Sequence, residues 1–483
     1  MSETRSRKTL SSLLFKLVES LGNQGLAFVV SLLLARALAP SDYGVLSMLL
    51  VFIAIAQVFV QSGLNTALIQ KKDVDETDLS SVFFVSFGMA AVFYAILFVL
   101  SPWLADFFRM PALKSTLRVM ALILLPGSLI SVQTAVVSRQ MAFRKQMVAS
   151  LCATVLSGTV GVVMARNGAG YWALVAQQMT NQCALAILLL VLVKWRPHFM
   201  FSFARVREHF CFGWKLLVSG LLDTVFTNLR SMVIGRKFSD EALASFTRGK
   251  QFPELAMNAI NGSISSVMLP VLSEQQDETQ RMKQTMRRSV MLSCFVVVPL
   301  LAGLAAVAEP LIKLLLTDKW LPCVPFLQLC CIDFALYPIH TSNLSAINAK
   351  GRSDVFLRLE IIKKAYGMVI LLVSVLCFDS VMAIAWGGVI SSVVSAAVNA
   401  HPNKELINYG YLEQMRDILP TIVLSLIMFG VVYAMNLLAL PTAVLLVLQI
   451  IVGVIVYGGL SLLFKLESVQ FLYQLLGRLR KRG

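Results

Sequence analysis

The sequence predicts an all-α protein that crosses a membrane about fourteen times. Of its 483 residues, 57% are hydrophobic and only 14% are charged, whereas a soluble protein carries about 25% charged residues. A membrane span needs about 20 mostly apolar residues, and such stretches recur along the whole chain with short loops between them. These observations leave no room for a soluble domain and favour helices that span a bilayer.

The fourteen apolar segments are named TM1 to TM14 in chain order. They are predicted at residues 13–38, 43–69, 79–101, 115–137, 147–166, 171–193, 212–236, 250–272, 290–308, 322–347, 357–378, 381–400, 418–436 and 441–464. TM1 has no clear small-residue cleavage site, so we expect it to be retained as a helix rather than removed as a signal peptide.

The basic residues predict how the chain is oriented. Most of the 42 Lys and Arg residues lie in alternate loops, on the same side as the N-terminus. Because cytoplasmic loops are enriched in Lys and Arg, we expect both termini to be cytoplasmic and the protein to lie in the inner, or plasma, membrane. The net charge of +16 then reflects this excess of basic residues on the cytoplasmic side, where anionic lipid headgroups can hold the basic tail, and nucleic acid is not an expected partner.

An internal repeat divides the chain. The spacing of TM1 to TM6 recurs in TM7 to TM12, about 200 residues later. Six spans is an even number, so the halves run in the same direction, as in parallel-repeat transporters. We predict two parallel six-helix lobes, at 1–195 and 196–402, then TM13 and TM14 within 403–464, and a basic tail at 465–483. The segment 199–211 is either a short interfacial helix or a basic loop.

Four helices carry polar side chains at helical spacing on one face. The sets are Lys16, Glu19 and Asn23 in TM1; Gln57, Gln61 and Asn65 in TM2; Lys215, Asp223 and Arg230 in TM7; and Glu254, Asn258, Asn261 and Ser265 in TM8. Polar side chains are costly in a bilayer, so such faces usually meet protein or a water-filled cavity. Because TM7 and TM8 repeat TM1 and TM2, we predict that the four faces line one central cavity.

Three stretches resemble a known transporter family. They are LARALAPSDYG (34–44) leading to GLNTALIQKKD (63–73), MLPVLSEQQDETQ (268–280) and TDKWLPCVPFLQL (317–329). Their order and spacing are similar to those of the polysaccharide transporters, the Wzx-type lipid-linked oligosaccharide flippases of the MOP superfamily. The likeness is closest to exporters of colanic-acid and teichuronic-acid type repeat units. It implies a V-shaped fold and alternating access. It also implies a cargo, an undecaprenyl-diphosphate-linked glycan for surface polysaccharide.

This implied cargo suggests roles for the polar faces. Arg binds phosphate oxygens bidentately, so Arg230 is the first candidate for the diphosphate and Lys215 the second. The amides are candidates for sugar hydroxyls, and they are Asn23, Gln57, Gln61, Asn65, Asn258 and Asn261. The alternatives are an ion pair between Arg230 and Asp223, snorkelling of Lys215 to the interface, and hydrogen bonds of the amides between helices.

Directional transport needs a driving ion, either a proton or sodium. The candidate carboxylates are Glu19, Asp223, Glu254 and Asp333, because a carboxylate in a low dielectric can take up protons near neutrality. Glu19 and Lys16 are equally compatible with a static salt bridge. Asp333, Tyr337 and His340 share one face of TM10, which fits either a proton relay or a packed polar cluster.

The sequence has no signature of an enzyme. It lacks a GxSxG elbow, an HExxH motif, a P-loop and a metal-type CxxC pair, so we expect no catalytic residue, metal or cofactor. We expect a functional monomer. Two alternatives remain at this point. One is a MATE-like cation-coupled antiporter, a group that generally has 12 spans. The other is a glycan polymerase or ligase, which usually has a large outer loop.

Overall fold

The computed structural model describes residues 22–61, 63–71, 73–193 and 195–471, and these residues form helices with no β-strand among them. In chain order they are α1 (22–37), α2 (Pro40–Gln61), α3 (Leu64–Gln70), α4 (Glu76–Phe108), α5 (Ala112–Met120), α6 (Leu124–Gln140), α7 (Phe143–Arg166), α8 (Tyr171–Leu192), α9 (Phe203–Lys237), α10 (Asp240–Glu274), α11 (Thr279–Ala306), α12 (Ala308–Leu316), α13 (Val324–Ala335), α14 (Tyr337–Ala349), α15 (Ser353–Cys377), α16 (Val381–Ile407), α17 (Tyr411–Ala434) and α18 (Thr442–Leu463).

The prediction of an all-α polytopic membrane protein is confirmed. Each of the fourteen predicted segments overlaps helix, and eleven helical spans in the described part of the chain are long and apolar enough to cross a bilayer. The 33 residues of α4 rise roughly 50 Å at 1.5 Å per residue, so this helix extends well past a hydrocarbon core of about 30 Å.

The prediction for the segment before TM7 was wrong. The segment 199–211 is neither a separate interfacial helix nor a loop, because α9 begins at Phe203 and continues unbroken for 35 residues. TM10 is confirmed as a span, since Asp318–Ala349 is long and apolar enough to cross a bilayer, and it contains one break, between the end of α13 at Ala335 and the start of α14 at Tyr337. Pro338 explains this break, because proline lacks the N–H that would otherwise donate to the carbonyl of Phe334, four residues earlier.

The chain forms two compact units, residues 1–244 and 245–483. Helix α9 contacts α2, α3 and α4 inside the first unit. The predicted division at 195/196 follows the repeat in the sequence, whereas the two units are defined by which residues pack together. The boundaries 1–195, 196–402, 403–464 and 465–483 therefore stay a prediction.

Close backbone contacts hold the first unit together. Arg139 at the end of α6 donates to the carbonyl oxygens of Leu68, Ile69 and Lys71, which satisfies the end of α3, where helical carbonyls have no partner of their own. Gly44 in α2 lies against the start of α10, and a Cβ at this position would be 2.1 Å from the carbonyl oxygen of Asp240. Only glycine therefore fits at position 44 without backbone movement.

Gly44→Ala is expected to lower the free energy of unfolding by about 1–3 kcal/mol, the usual cost of overpacking. The backbone of Asp240 has no flexible side-chain end that can move aside. The thermal stability of the purified protein measures the effect. Gly88→Ala is the matched control, because a Cβ on Gly88 in α4 meets no atom within 4 Å. Equal melting temperatures for the two variants would show that α2 and α10 separate easily.

In the second unit, one arginine joins three segments. The Arg287 guanidinium on α11 donates to both carboxylate oxygens of Asp417 on α17, at 2.9 Å each, and to Glu467 beyond α18, at 2.8 Å. Tyr409, in the loop before α17, donates its hydroxyl to Asp417 at 2.8 Å. Burial, followed by this hydrogen bond, raises the pKa of Tyr409, so the phenol stays protonated and a donor.

Candidate functional site

The polar faces predicted on TM2 and TM7 lie on neighbouring helices. A Cβ on Gly220 of α9 would be 3.6 Å from Val58 of α2, and one on Gly235 would be 2.2 Å from Met48. Residue numbers rise along α2 as they fall along α9, so the two helices are antiparallel. This register puts Asp223 at about the level of Gln57.

The same register puts Lys215 at about the level of Gln61. Lys215, Gln61 and Asp223 are exposed within the first unit, and Gln57 is half-buried. The structure thus places residues of two of the four predicted polar faces at similar levels on neighbouring helices. Two hydrogen-bonding amides on α2 and two groups of opposite charge on α9 therefore lie at similar levels of these helices.

Arg230 lies further along α9 and is half-buried. It forms no hydrogen bond or ion pair with any of the described residues, so the predicted alternative of an Arg230–Asp223 pair is not observed there. A half-buried guanidinium with no counter-charge attracts an anion more strongly than one that is already paired.

The candidate amides have different surroundings. Asn23 accepts from Thr154 of α7, and Asn261 accepts from Thr341 of α14, so both make the interhelical bonds considered as an alternative. The Oδ1 atom of Asn65 is buried and has no hydrogen-bond partner. Asn258 is exposed. Among the described residues, Asn65 is therefore the candidate amide with a buried acceptor that remains unsatisfied.

The candidate carboxylates are spread over both units. Lys16 and Glu19 lie outside the described residues, as does the side chain of Ser265. Glu254 and Asp333 are half-buried in the second unit, and the backbone carbonyl of Asp333 accepts from Ser392. Their roles in ion coupling stay a prediction.

Sequence reasoning missed a charged cluster at the start of α4. The Asp78 carboxylate is fully buried and lies 3.0 Å from Lys71, 3.2 Å from His209 and 3.7 Å from Arg205. Asp78 is also the N3 residue of a capping box with Asp75, in which each side chain accepts from the other's backbone N–H. The D-x-x-D pattern ahead of an apolar run could have predicted this cap, but its partners on α9 are about 130 residues away.

A second missed feature is a buried amide core in the second unit. Asn343 on α14, Asn403 on α16 and Gln414 on α17 are all fully buried. Asn403 and Gln414 both donate to Asn343 Oδ1, at 2.7 and 3.0 Å, and Asn343 donates to Gln414 at 2.8 Å. Bonds of this kind align three helices, because an unsatisfied amide in an apolar interior is costly. In residues 22–471, apart from the undescribed positions 62, 72 and 194, no His, Cys, Asp or Glu group fits a metal ion.

Comparison with known proteins agrees with the resemblance seen in the motifs. A family described as "Polysaccharide biosynthesis protein" matches residues 33–325. Teichuronic acid biosynthesis protein TuaB of Bacillus subtilis (strain 168) is 25% identical over 410 residues, which cover 83% of this chain and 84% of TuaB. Lipopolysaccharide biosynthesis protein WzxC of Escherichia coli (strain K12) is 23% identical over 364 residues, covering 74% and 73%.

Solved structures share the fold. The lipid II flippase MurJ, in an inward closed conformation, superposes with a TM-score of 0.75 at 14% identity, covering 94% of this chain and 98% of MurJ. An inward-facing MATE multidrug resistance transporter of the MOP superfamily gives 0.61 at 12% identity, covering 79% of this chain and 95% of the transporter. At these identities the likeness concerns fold alone, and it confirms the predicted MOP-type architecture. Because the family match covers more than half of the chain, the protein belongs to the polysaccharide biosynthesis protein family.

Proposed function

We propose that this protein is a flippase that moves undecaprenyl-diphosphate-linked oligosaccharide repeat units across the bacterial inner membrane. The observation that carries the proposal is family membership. Its relatives are named for teichuronic acid, lipopolysaccharide and succinoglycan, the last through the transport protein ExoT of Rhizobium meliloti (strain 1021), at 24% identity. Three different polymers point to a shared transport step rather than to one sugar chemistry.

The polar faces of α2 and α9 support this proposal. A lipid-linked glycan has an anionic diphosphate and a polar head, which both need a hydrated, hydrogen-bonding path through the bilayer. Arg230, which has no ion pair among the described residues, supplies a positive charge for the diphosphate, and Lys215 supplies a second one nearer the other end of the helix. The amides at positions 57, 61 and 65 supply donors and acceptors for sugar hydroxyls.

The proposal also includes the orientation of the chain in the membrane and the ion that drives transport. Both termini are cytoplasmic. Transport of the lipid-linked glycan runs from the cytoplasmic to the outer leaflet by alternating access. A proton or sodium ion drives it, and one copy of the chain is sufficient. The positive-inside distribution of Lys and Arg supports the orientation.

The antiporter alternative is supported by fold likeness alone. The MATE transporter aligns over 95% of its own length but over only 79% of this chain, so it has no counterpart for part of the present helices. A polymerase or ligase is disfavoured, because the helices are joined by loops too short for a catalytic module.

Deletion of the gene is expected to trap lipid-linked repeat units in the inner leaflet. In spheroplasts whose host makes one defined repeat unit and has no second flippase, an impermeant oxidant or lectin added outside should no longer reach the glycan. A strain lacking only the polymerase is the matched control, since it should hold lipid-linked units that the probe does reach. Outside labelling of the deletion strain at the level of this control would overturn the proposal.

A further inference from the structure

A histidine in the second unit belongs to a polar cluster that the proposed cargo path does not use. His340 on α14 lies between two residues of α16. Its Nε2 is 3.3 Å from the hydroxyl of Ser392, and its Nδ1 is 3.2 Å from the amide nitrogen of Asn399. Ser392 also donates to the backbone carbonyl of Asp333, at 3.3 Å. Ser392 and Asn399 are buried, with 8% and 1% of their surface exposed.

These contacts define the protonation state of the imidazole. The hydroxyl proton of Ser392 is directed to the Asp333 carbonyl, so its oxygen accepts from Nε2–H of His340. The Asn399 amide nitrogen can only donate, so Nδ1 must accept. His340 is therefore neutral in this arrangement, with its single proton on Nε2.

Asn399 also carries an acceptor that nothing uses. Its Oδ1 atom is buried and has no hydrogen-bond partner in the structure. Rotating the amide by half a turn would exchange Oδ1 and Nδ2, so that the oxygen faced Nδ1. A proton on Nδ1 would then have an acceptor, and both protonation states of His340 would be hydrogen-bonded on both sides.

The charged group that acts on His340 is a lysine held in a salt bridge. Helix α14 packs against α11, α13, α15 and α16. The titratable groups on these elements and on α14 itself include Asp333, Tyr337, Cys294, Tyr366 and Lys363 with its partner Glu360. Lys363 is the cation that acts on His340, and its salt bridge to Glu360 offsets that charge. Asp333 lies seven residues before His340, on the other side of the break between α13 and α14.

A row of polar side chains leads from this cluster toward the surface. Asn403 follows Asn399 by one turn on α16, and its own Oδ1 is also buried without a partner. Asn403 joins the buried amides Asn343 and Gln414. Gln414 donates to the backbone of Tyr409, whose hydroxyl reaches Asp417, itself 12% exposed. A proton that moves between His340 and Asp417 would therefore pass polar side chains along this row.

We propose that His340 is a proton-binding site that couples transport to the proton gradient, with the Asn399 amide reorienting as the proton binds. The proton adds to Nδ1 from one side of the membrane and leaves from Nδ1 after the conformational change, and no other bond forms or breaks. This inference rests on the proposed flippase function, since coupling needs a transported cargo.

Titration of His340 tests the site without any transport assay. The chain has four histidines, so histidine-selective isotope labelling of the full-length protein in nanodiscs gives four signals, and His340→Gln identifies the one of interest. Asn399→Asp should raise its midpoint by about one pH unit or more, because a carboxylate accepts from Nδ1–H and stabilises the cation. Asn399→Leu should lower the midpoint, because no acceptor remains.

The transport test uses purified protein in vesicles with a fluorescent lipid-linked oligosaccharide. One proton per cycle permits up to about a tenfold change in the leaflet ratio per unit of pH gradient. We expect this response from the wild type and from the control His401→Gln, an exposed histidine on α16. His340→Gln should still equilibrate the lipid but lose the response to the gradient.

Two outcomes would overturn the site. One is a gradient response in His340→Gln equal to that of the wild type. The other is a His340 midpoint that moves in the same direction in both Asn399 variants. If the wild type moves no lipid-linked oligosaccharide, the flippase proposal fails, and the titration still decides whether His340 binds a proton.

Discussion

Asp78→Ala is expected to destabilise the first unit by about 3–5 kcal/mol, the range found when one partner of a buried ion pair is removed. The fully buried carboxylate is the shared counter-charge of Lys71 and Arg205 and lies within hydrogen-bond distance of His209. Without it, these groups are left close together, and the first turn of α4 loses its capping box. For a unit of this size, the loss corresponds to a fall in melting temperature of roughly 6–20 °C.

The control for this prediction is Asp73→Ala, an exposed carboxylate in the same loop, which should change stability by less than about 0.5 kcal/mol. A double-mutant cycle with Lys71→Met should show coupling of at least about 1 kcal/mol. Melting of Asp78→Ala at the wild-type temperature would mean that water, rather than Asp78, compensates the three basic groups.

Arg230→Ala is expected to reduce the rate of flipping by about 10- to 100-fold, with little change in melting temperature. A hydrogen bond to a charged group contributes about 1.5–3 kcal/mol, and Arg230 has no bond among the described residues that the substitution would break. Arg230→Lys should be intermediate, because an ammonium keeps the charge but not the bidentate geometry. Spheroplast labelling of the lipid-linked glycan measures the flipping rate of the wild type, Arg230→Ala and Arg230→Lys.

Arg207→Ala is the matched control, since Arg207 is an exposed arginine on the same helix. It should flip at the wild-type rate. Full activity of Arg230→Ala, in a strain where deletion of the gene traps the glycan, would remove Arg230 from the site and leave the flippase proposal intact.

Helix positions were predictable because each span must hide about 20 apolar residues from water. The polar faces on TM2 and TM7 were also predictable. The four-residue spacing of Gln57 and Gln61 places both on one face of a helix, whatever that helix packs against. Their register was not predictable. It depends on where Gly220 and Gly235 let α9 approach α2, and this distance does not appear in either helix alone.

The charged and polar clusters could not be predicted for a related reason. Asp78 meets His209 across 131 positions of the chain, and Asn343 meets Gln414 across 71. In the sequence, a carboxylate at the start of a helix is typical of an ordinary capping residue. Only the tertiary structure shows that three basic groups converge on it, and only the structure separates Asn65, with its unpartnered oxygen, from Asn23, which is bonded to Thr154.

The salt bridges of Arg287 have a consequence for the order in which the second unit is completed. Glu467 follows Arg287 by 180 residues, so at a synthesis rate of 5–20 residues per second it emerges roughly 9–36 s later. During that time Arg287 has at most Asp417 as a partner. The segment after α18 therefore completes this group of salt bridges, and a nascent chain that stops before Glu467 exposes an incompletely neutralised arginine for quality-control proteases to encounter.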